Sequence, residues 1–283
     1  MNVAQSDLAA CRDVAVKAAE AAGRLVRGGF NSAITCTIKG TTGDVVTSLD
    51  LGAEQLIVDF LHDAFPSHGI ASEESGATRN SSSPWTWLVD PLDGSNNIVV
   101  GLPVVAIGLA LCYENQPVLG VVHEPFVSRT WSAVRGAGAW QDGDRPLLRQ
   151  PHAARRPVIA WTQGYGISAR DGTASTLRSL LAGYARRVLE LWAPLCAWTM
   201  LARGDIEGIV GYCIGELDLH AGALIAGMAG IEIRAFDGTP FNTRFCGFEE
   251  NRSLVAAAPE RIDELLSLIS QQTLDPVNRA RVT

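Results

Sequence analysis

The sequence predicts two α/β halves that share one interface, and three observations support this fold class. Apolar residues recur at helical spacing near the N-terminus, β-rich runs separated by short turns follow, and short strands alternate with helices beyond residue 155. Of the 283 residues, 47% are hydrophobic and 19% are charged. Disordered chains combine low hydrophobicity with high net charge, so this composition predicts a folded protein.

Two helices are expected to open the first half. The first covers residues 6–29, from a Ser-Asp cap to a pair of glycines that stops it. The second covers about residues 50–65 and ends at Pro66, which cannot continue a helix. The segment between them, residues 35–43, is polar and contains glycine, so we expect a turn or a mobile loop there.

Strands are expected to follow these helices. Residues 85–89 form a short apolar run between two prolines, which is typical of a buried strand. Three further β-rich runs with short turns predict an antiparallel meander. These runs are residues 104–113, 117–122 and 130–134.

The second half is predicted to alternate strands and helices, which favours a layered α/β arrangement. The predicted strands are residues 158–161, 188–192, 206–210, 231–235 and 254–257. The predicted helices are residues 173–182, 195–202, 218–229 and 259–270. We place the N-terminal half at residues 1–150 and the C-terminal half at residues 151–283.

Charge and cysteine content exclude several classes of protein. The 23 Lys and Arg against 30 Asp and Glu leave a net charge of −7, whereas non-specific nucleic-acid binding needs a basic surface. The six cysteines form no CxxC pair, so neither a zinc site nor a disulfide framework is indicated, and we expect small buried side chains. With no signal peptide and no span for a bilayer, we expect a cytoplasmic protein without membrane contact.

The most informative segment is residues 87–95, WLVDPLDGS. A buried strand here delivers Asp90 and Asp93 at its end, and two carboxylates this close repel each other unless a cation lies between them. Mg²⁺ prefers such oxygen ligands. The amides of Gly94 and Ser95, at the start of a predicted helix, are suited to bind phosphate. The pattern therefore favours metal-assisted phosphoryl hydrolysis over the alternative, a surface turn with two solvated acids.

Further acids lie near predicted element ends. Glu73 and Glu74 follow an apolar stretch, and Asp44 and Asp50 lie six residues apart across a predicted helix start. Each pair could also be an exposed charged turn or a helix cap. Asp218 precedes a small-residue helix, and taken alone it is best explained as a carboxylate that binds free amides at the helix N-terminus.

Taken in order, these segments resemble the inositol monophosphatase family of Mg²⁺-dependent, lithium-sensitive phosphatases, from the first helix to about residue 241. The resemblance implies the layered αβαβα sandwich of sugar phosphatases. The matching motifs are Asp44-x-x-Thr47-x-x-Asp50, Glu73-Glu74-Ser75, Trp87-Leu-Val-Asp-Pro-Leu-Asp-Gly-Ser, Gly101-Leu102-Pro103, Gly120-Val121-Val122 and Gly136-Ala137-Gly138-Ala139.

The resemblance also implies a set of metal ligands. Glu73, Asp90 and the backbone carbonyl of Leu92 correspond to the ligands of a first ion, and Asp90, Asp93 and Asp218 to those of a second. A weaker third ion would rest on Glu73 and water, so the resemblance implies two to three Mg²⁺ ions and inhibition by Li⁺. Glu73 is counted among the catalytic residues as well.

Catalytic and phosphate-binding roles follow from the same resemblance. The family has Thr where this chain has Ser95, which keeps the hydroxyl group. Ser95 and Asp50 would orient and deprotonate the water that attacks phosphorus directly, and the amides of Gly94 and Ser95 would hold the phosphate. Lys39 and Asp44 match the mobile loop that covers the metals.

The sequence departs from the family pattern in the second half, where the family binds its substrate. Our candidates for a reshaped pocket are Glu190, Trp192, Tyr212, Glu216 and His220, each of which could instead be a core or surface residue. For His220 the sequence favours packing at a helix start. These changes leave the metal chemistry intact, but they remove the grounds for specificity toward myo-inositol 1-phosphate.

The sequence is thus identified with an Mg²⁺-dependent phosphomonoesterase for a small polyol, cyclitol or sugar phosphate. Histidinol phosphate, fructose 1,6-bisphosphate or a 3′-phosphonucleotide are alternative substrates for the same chemistry. A non-catalytic regulatory protein on this fold would have lost metal ligands, and all of them are present. The resemblance implies a homodimer, for which Trp140, Trp161 and Trp198 are candidate interface residues.

Overall fold

A computed structural model describes residues 5–39, 43–76, 82–150, 156–247 and 252–273. These residues form seven helices and fourteen strands. The helices are α1 (Gln5–Gly29), α2 (Ser48–Ala64), α3 (Ser95–Val99), α4 (Gly172–Tyr184), α5 (Pro194–Arg203), α6 (His220–Met228) and α7 (Pro259–Thr273). The strands are β1 (Cys36–Lys39), β2 (Asp44–Thr47), β3 (Gly69–Ser72), β4 (Trp85–Asp93), β5 (Ala106–Tyr113), β6 (Gln116–Glu124), β7 (Arg129–Val134), β8 (Gly138–Gln141), β9 (Arg145–Pro146), β10 (Val158–Gln163), β11 (Arg187–Leu189), β12 (Gly208–Ile214), β13 (Glu232–Ala235) and β14 (Arg252–Ala257).

The strands form a hairpin and two larger sheets. The seven-stranded sheet has the order β3-β4-β5-β6-β7-β8-β9, and its pairs are antiparallel except β3–β4. The five-stranded sheet has the order β11-β10-β12-β14-β13, with β10 parallel to both its neighbours. Strands β1 and β2 pair only with each other, as an antiparallel hairpin. The two larger sheets fall on either side of residue 150, and the division into halves there stays a prediction.

Three apolar cores join five layers, and the core around α5 and α6 contacts both larger sheets. Helices α1 and α2 pack on one face of the seven-stranded sheet, α5 and α6 lie between the two sheets, and α4 and α7 cover the outer face of the five-stranded sheet. Strand β4 shows how the sequence builds this arrangement, because successive side chains point to opposite faces. Trp87 and Val89 enter the core under α1 and α2, whereas Leu88 enters the core under α5 and α6. The layered αβαβα sandwich is therefore confirmed.

Two glycines allow α6 to pack closely between the sheets. A Cβ atom at Gly120 would lie 2.7 Å from the backbone oxygen of Ala221, and one at Gly222 would lie 2.4 Å from the Trp198 side chain. Both distances are far below van der Waals contact, so only glycine fits. This close packing fixes the start of α6, where Asp218 lies.

The predicted loop at residues 35–43 is partly wrong. Residues 36–39 form β1, which pairs with β2 in the register Cys36↔Thr47 to Lys39↔Asp44. The β-branched residues in the two segments favour this pairing over a loop. Residues 40–42 of the predicted loop lie outside the described residues.

Other element ends shift by a few residues. The predicted strand at 188–192 stops at Leu189, and the helix predicted from residue 218 begins at His220. Strands β8 and β9 were not predicted, because they are short and contain no clear apolar alternation.

The predicted apolar surfaces and buried cysteines need correction. Trp161 and Trp198 are 2% and 1% exposed, so they belong to the core rather than to an interface, and Trp140 is partly buried beneath Arg12. All six cysteines are unpaired; Cys11, Cys112 and Cys196 are buried, whereas Cys36 and Cys246 are exposed and Cys213 is intermediate. Among the described helices, none has both the length and the apolar character required to cross a membrane.

Candidate active site

A β-bulge brings Asp90 and Asp93 to the same cavity. Residues three apart in a regular strand point to opposite faces of the sheet. In the pairing of β4 with β5, however, Asp90 opposes Gly108 and Asp93 opposes Ala106, so β4 holds one extra residue. This bulge turns both carboxylates toward one cavity, which is a common use of bulges beside active sites.

The next residue has to be glycine. Gly94 has φ of 98°, in the left-handed region, and a Cβ there would lie 3.0 Å from the Val104 carbonyl oxygen and 3.2 Å from the Ala193 Cβ. Its carbonyl accepts the amide of Asn97 at 2.8 Å and so starts α3. The Asp-Gly-Ser sequence therefore forms a sharp turn that directs the first turn of α3 toward the acids.

Three acids converge although they are far apart in the sequence. Single carboxylate oxygens of Asp90, Asp93 and Asp218 all lie within 4.8 Å of one another. Asp93 Oδ2 accepts the Leu195 amide at 2.6 Å, and Trp198 Nε1 donates to the Asp218 carbonyl oxygen at 3.1 Å. The N-cap of α6 is Leu219, and this cap makes no side-chain hydrogen bond, so the interpretation of Asp218 as the helix cap is not supported.

These carboxylates stand in an environment that disfavours negative charge. Burial, followed by repulsion from the neighbouring acids, raises the pKa of Asp90 and of Asp93 well above the usual range. Burial raises the pKa of Asp218 to about 7, with Glu73 and Asp44 adding to the effect. A divalent cation would reverse each of these effects by compensating the charge.

The donor atoms fit a hard cation. Asp90 Oδ1 accepts the Leu92 amide at 3.1 Å, but Asp90 Oδ2 is buried and has no hydrogen-bond partner among the described residues. A buried carboxylate oxygen without a partner is costly, and coordination of a metal would satisfy it. Asp90, Asp93 and Asp218 can therefore hold Mg²⁺ through oxygen atoms.

Asp50 and Ser95 are linked behind the acids. Asp50 belongs to the capping box of α2, where its Oδ2 accepts the Thr47 amide at 2.8 Å and the Thr47 hydroxyl at 2.5 Å. Its other oxygen lies within hydrogen-bond distance of the Ser95 hydroxyl, which also lies 2.9 Å from the Leu92 carbonyl oxygen. The helix cap therefore fixes the carboxylate that orients the Ser95 hydroxyl at the cavity.

Lys39 holds a second group of acids together. Its Nζ lies 3.0 Å from Glu73, 2.5 Å from Glu74 and 3.9 Å from Asp44. Burial raises the pKa of Glu73 and of Asp44 while Lys39 lowers both, and burial raises the pKa of Glu74 to about 7. Glu73 and Asp44 line the cavity, but Glu73 is not one of the three acids that converge within 4.8 Å.

Glu54 is a site residue that the sequence reasoning missed. It is 8% exposed on α2, and its Oε2 accepts the Ser72 hydroxyl at 2.5 Å and the Glu74 amide at 2.9 Å. It thus fixes the turn that carries Glu73. Its spacing of four residues from Asp50 on an otherwise apolar helix face could have indicated this role, because such acids share one face.

The acids open into a cavity of about 380 Å³, which is within the range of small-molecule sites. Both halves of the chain line it. The predicted residues among the lining are Asp44, Glu73, Asp90, Leu92, Asp93, Gly94, Ser95, Glu190, Trp192 and Asp218. Lining residues that the sequence did not single out include Asn96, Trp161, Tyr165 and Arg178.

Three predicted substrate residues do not line this cavity, and we no longer assign them to it. Tyr212 stacks between Trp161 and Phe236, at ring centroid distances of 6.2 and 6.4 Å.

The other two, Glu216 and His220, are 2% and 1% exposed, and His220 Nε2 lies 2.8 Å from Glu216 Oε2. Arg252 Nε lies 2.6 Å from the other oxygen of Glu216. These contacts explain the residues as internal packing, since a buried charge needs a partner.

The model of the inositol monophosphatase family matches residues 7–274. Inositol monophosphatase 2 of Solanum lycopersicum is 39% identical over 239 residues, which cover 81% of this chain and 89% of that protein. The Nus factor SuhB of Haemophilus influenzae is 36% identical, over 91% of this chain and 94% of that protein.

A solved structure with this architecture is the extragenic suppressor protein suhB from Bartonella henselae. It superposes with a TM-score of 0.82 at 26% identity, and the match covers 93% of this chain and 99% of that one. The similarity thus runs through both halves of the chain.

Proposed function

Because this chain belongs to the inositol monophosphatase family and is a phosphatase, we propose that it is an Mg²⁺-dependent phosphomonoesterase that acts by direct attack of water. The observation that supports this most strongly is the convergence of Asp90, Asp93 and Asp218, with one buried carboxylate oxygen that lacks a partner. We assign to them, with Glu73 and the Leu92 carbonyl, the binding of two to three ions.

Bound Mg²⁺ would lower the pKa of the attacking water and neutralise charge on the phosphoryl oxygens and the departing alkoxide. The protein supplies the proton acceptor. Asp50, fixed on one oxygen by Thr47, binds the Ser95 hydroxyl with the other. Ser95 can therefore take a proton from the attacking water and pass its own proton to Asp50, which is general base catalysis.

The remaining groups would position the phosphate and compensate the charge of the acids. Gly94 and Ser95 line the cavity at the start of α3, and we assign to their amides the binding of the phosphate oxygens. Lys39 lies among Glu73, Glu74 and Asp44, so it compensates part of their negative charge. We assign Lys39 and Asp44 to the loop that covers the metals.

For the substrate we propose a small polyol, cyclitol or sugar phosphate. Histidinol phosphate, fructose 1,6-bisphosphate and a 3′-phosphonucleotide share the reacting group and are the alternatives. The changed second half supports a search beyond myo-inositol 1-phosphate, since Glu190 and Trp192 line the cavity.

Phosphate release tests the proposal. We expect the purified protein to hydrolyse at least one ester from a panel of inositol 1-phosphate, fructose 1,6-bisphosphate, histidinol phosphate and p-nitrophenyl phosphate when Mg²⁺ is present. Chelation with EDTA should abolish turnover, and Li⁺ should inhibit it. If no ester is hydrolysed with Mg²⁺ present, the proposed activity is wrong.

We also propose that the protein is a homodimer, as the family resemblance implies. Light scattering coupled to size-exclusion chromatography measures this directly. A mass near 30.1 kDa, that of one chain, would contradict it.

A further inference from the structure

The part of the cavity lining that comes from the second half carries a solvent-exposed indole on a strained backbone. Trp192 is 59% exposed, lines the cavity and has φ of 53°. Positive φ is uncommon in residues other than glycine and is an outlier for a bulky one. Such strain persists only where the surroundings hold it in place, and it concentrates at functional sites.

Two hydrogen bonds hold this residue in place relative to the acids. On its N-terminal side, the Asn97 side chain donates to the Leu191 carbonyl oxygen at 2.7 Å. On its C-terminal side, the Leu195 amide donates to Asp93 Oδ2 at 2.6 Å. Both partners belong to the segment that carries the acids and α3. The backbone that carries Trp192 is therefore anchored to the segment that would bind the phosphate.

The charged groups of the same wall are already paired. Arg178 lies 2.5 Å from Glu190, and its guanidinium stacks on the Trp161 ring at 5.8 Å from the centroid. Tyr165 contributes a further ring, whose hydroxyl accepts a hydrogen bond from Asn96 at 3.3 Å. The wall thus contributes the exposed Trp192 indole and the Tyr165 ring to the cavity lining, while Arg178 and Glu190 compensate each other's charge.

We infer that Trp192 determines substrate specificity by stacking on a ring in the alcohol that leaves during hydrolysis. This inference rests on the proposed phosphatase function, and among the substrates named there it favours the alternatives with a flat ring in the leaving alcohol over saturated polyols, cyclitols and sugars. A heteroaromatic ring gains the most binding energy from stacking on the indole, because both partners are π-systems. A saturated ring gains less, and an open chain gains nothing. Trp192 touches the leaving group and not the reacting atoms.

The test replaces the ring without creating backbone strain. In Trp192→Asn the new residue tolerates the left-handed conformation that this position requires, so we expect the variant to fold. The probes are adenosine 5′-monophosphate, myo-inositol 1-phosphate and glycerol 2-phosphate, each with Mg²⁺. Phe60→Asn, which removes an exposed aromatic residue from α2 outside the cavity lining, is the matched control.

For the wild type we expect KM to be lowest for the adenosine ester and highest for the glycerol ester. Trp192→Asn should raise KM for the adenosine ester about tenfold with little change in kcat, because uniform binding is lost. It should raise KM for the inositol ester less and leave the glycerol ester unchanged. Trp192→Phe should restore most of the affinity, and Phe60→Asn should behave as the wild type.

Equal KM changes for all three esters, or wild-type turnover of the inositol and glycerol esters without turnover of the adenosine ester, would overturn the inference. It would also fail if Trp192→Asn changed the oligomeric state measured by light scattering, since self-association would then explain the exposed indole. These outcomes leave the phosphatase function standing. Failure of the wild type to hydrolyse any ester would instead remove the proposed function itself.

Discussion

The two walls of the cavity are built in different ways. The wall from the first half carries Asp90 and Asp93 on one continuous segment, a bulged strand followed by Gly94 and α3, and these features are local in sequence. The wall from the second half is assembled from separate segments at Trp161, Arg178 and Trp192. A local motif can hold catalytic groups in fixed geometry, whereas a wall of separate segments can change residue by residue.

This difference separates the residues that would perform the chemistry from those that would set substrate specificity. The segment around Trp192 is joined to the acids by the Asn97 and Leu195 hydrogen bonds, yet none of its side chains is needed to bind a cation. Changes at Asp90, Asp93 or Asp218 should therefore alter kcat and metal affinity, whereas changes at Trp192 should alter KM.

The largest expected effect tests the first wall. Asp90→Asn or Asp93→Asn should lower kcat/KM by roughly three orders of magnitude or more, because the preorganised charge that holds the cation is lost. The metal-free melting temperature should not fall, since one of three mutually repelling buried acids is removed.

Phosphate-release kinetics measures the loss of kcat/KM, and calorimetry with and without Mg²⁺ measures the melting temperature. Mg²⁺ should raise the melting temperature of the wild type and of the control Asp63→Asn, an exposed acid on α2, but not that of the two variants. A variant that keeps full activity would contradict the assignment of these acids.

The next effect concerns the proton acceptor. Ser95→Ala and Asp50→Asn should each lower kcat about 10² to 10⁴-fold, the usual range for general base catalysis. Ser95→Thr keeps the hydroxyl and should retain most activity. Steady-state kinetics at saturating Mg²⁺ checks this. If Ser95→Ala turns over as fast as Ser95→Thr, the hydroxyl takes no part in the reaction.

A pH experiment separates the acids of the site from a buried histidine of the scaffold. His123 is 7% exposed and binds Thr130, and its burial lowers its pKa from 6.5 to about 4. The unfolded chain therefore binds a proton between pH 6.5 and 4 that the folded protein excludes. Through this group, the free energy of unfolding falls by about 3 kcal/mol in total as pH drops from neutral through this range.

The titration of Glu74 and Asp218 changes stability in the opposite direction. Their pKa values of about 7 lie above the unfolded values, so they add stability as pH falls through 7 in the metal-free protein. The difference between wild type and His123→Asn in urea unfolding at pH 7.5 and 5 isolates the histidine. A pH-independent difference would show that His123 does not titrate as described.

The smallest expected effect tests the close packing of α6 between the two larger sheets. Gly222→Ala places a Cβ 2.4 Å from the Trp198 side chain, which donates to the Asp218 carbonyl, and should cost about 1–3 kcal/mol of unfolding free energy. Gly227→Ala on the same helix meets nothing within 4 Å and should stabilise by about 0.5–1 kcal/mol. Equal urea midpoints for the two variants would contradict the close packing.

Much of the fold could be predicted from the sequence because its signals are local. The long amphipathic helices, the meander and the alternation of the second half agree with the structure to within a few residues at most ends. The hairpin of β1 and β2 is not evident from the sequence, because both strands are short and a polar segment separates them. Trp161 and Trp198 were mistaken for surface residues because composition does not distinguish an exposed indole from a core one.

Of the site, the sequence by itself determined the features that are each local to a short segment. These are the two acids of the bulged strand with the glycine turn and Ser95, and the Asp50 helix cap. Those features depend on backbone rules that act over a few residues. Only the tertiary structure decided that Asp218 joins Asp90 and Asp93, that Glu54 supports the turn at Glu73, and that Trp192 faces the cavity while Glu216 and His220 face inward. The Leu195 amide reaches Asp93 across 102 residues, and contacts of that range are set by the packing of whole layers, which no local pattern specifies.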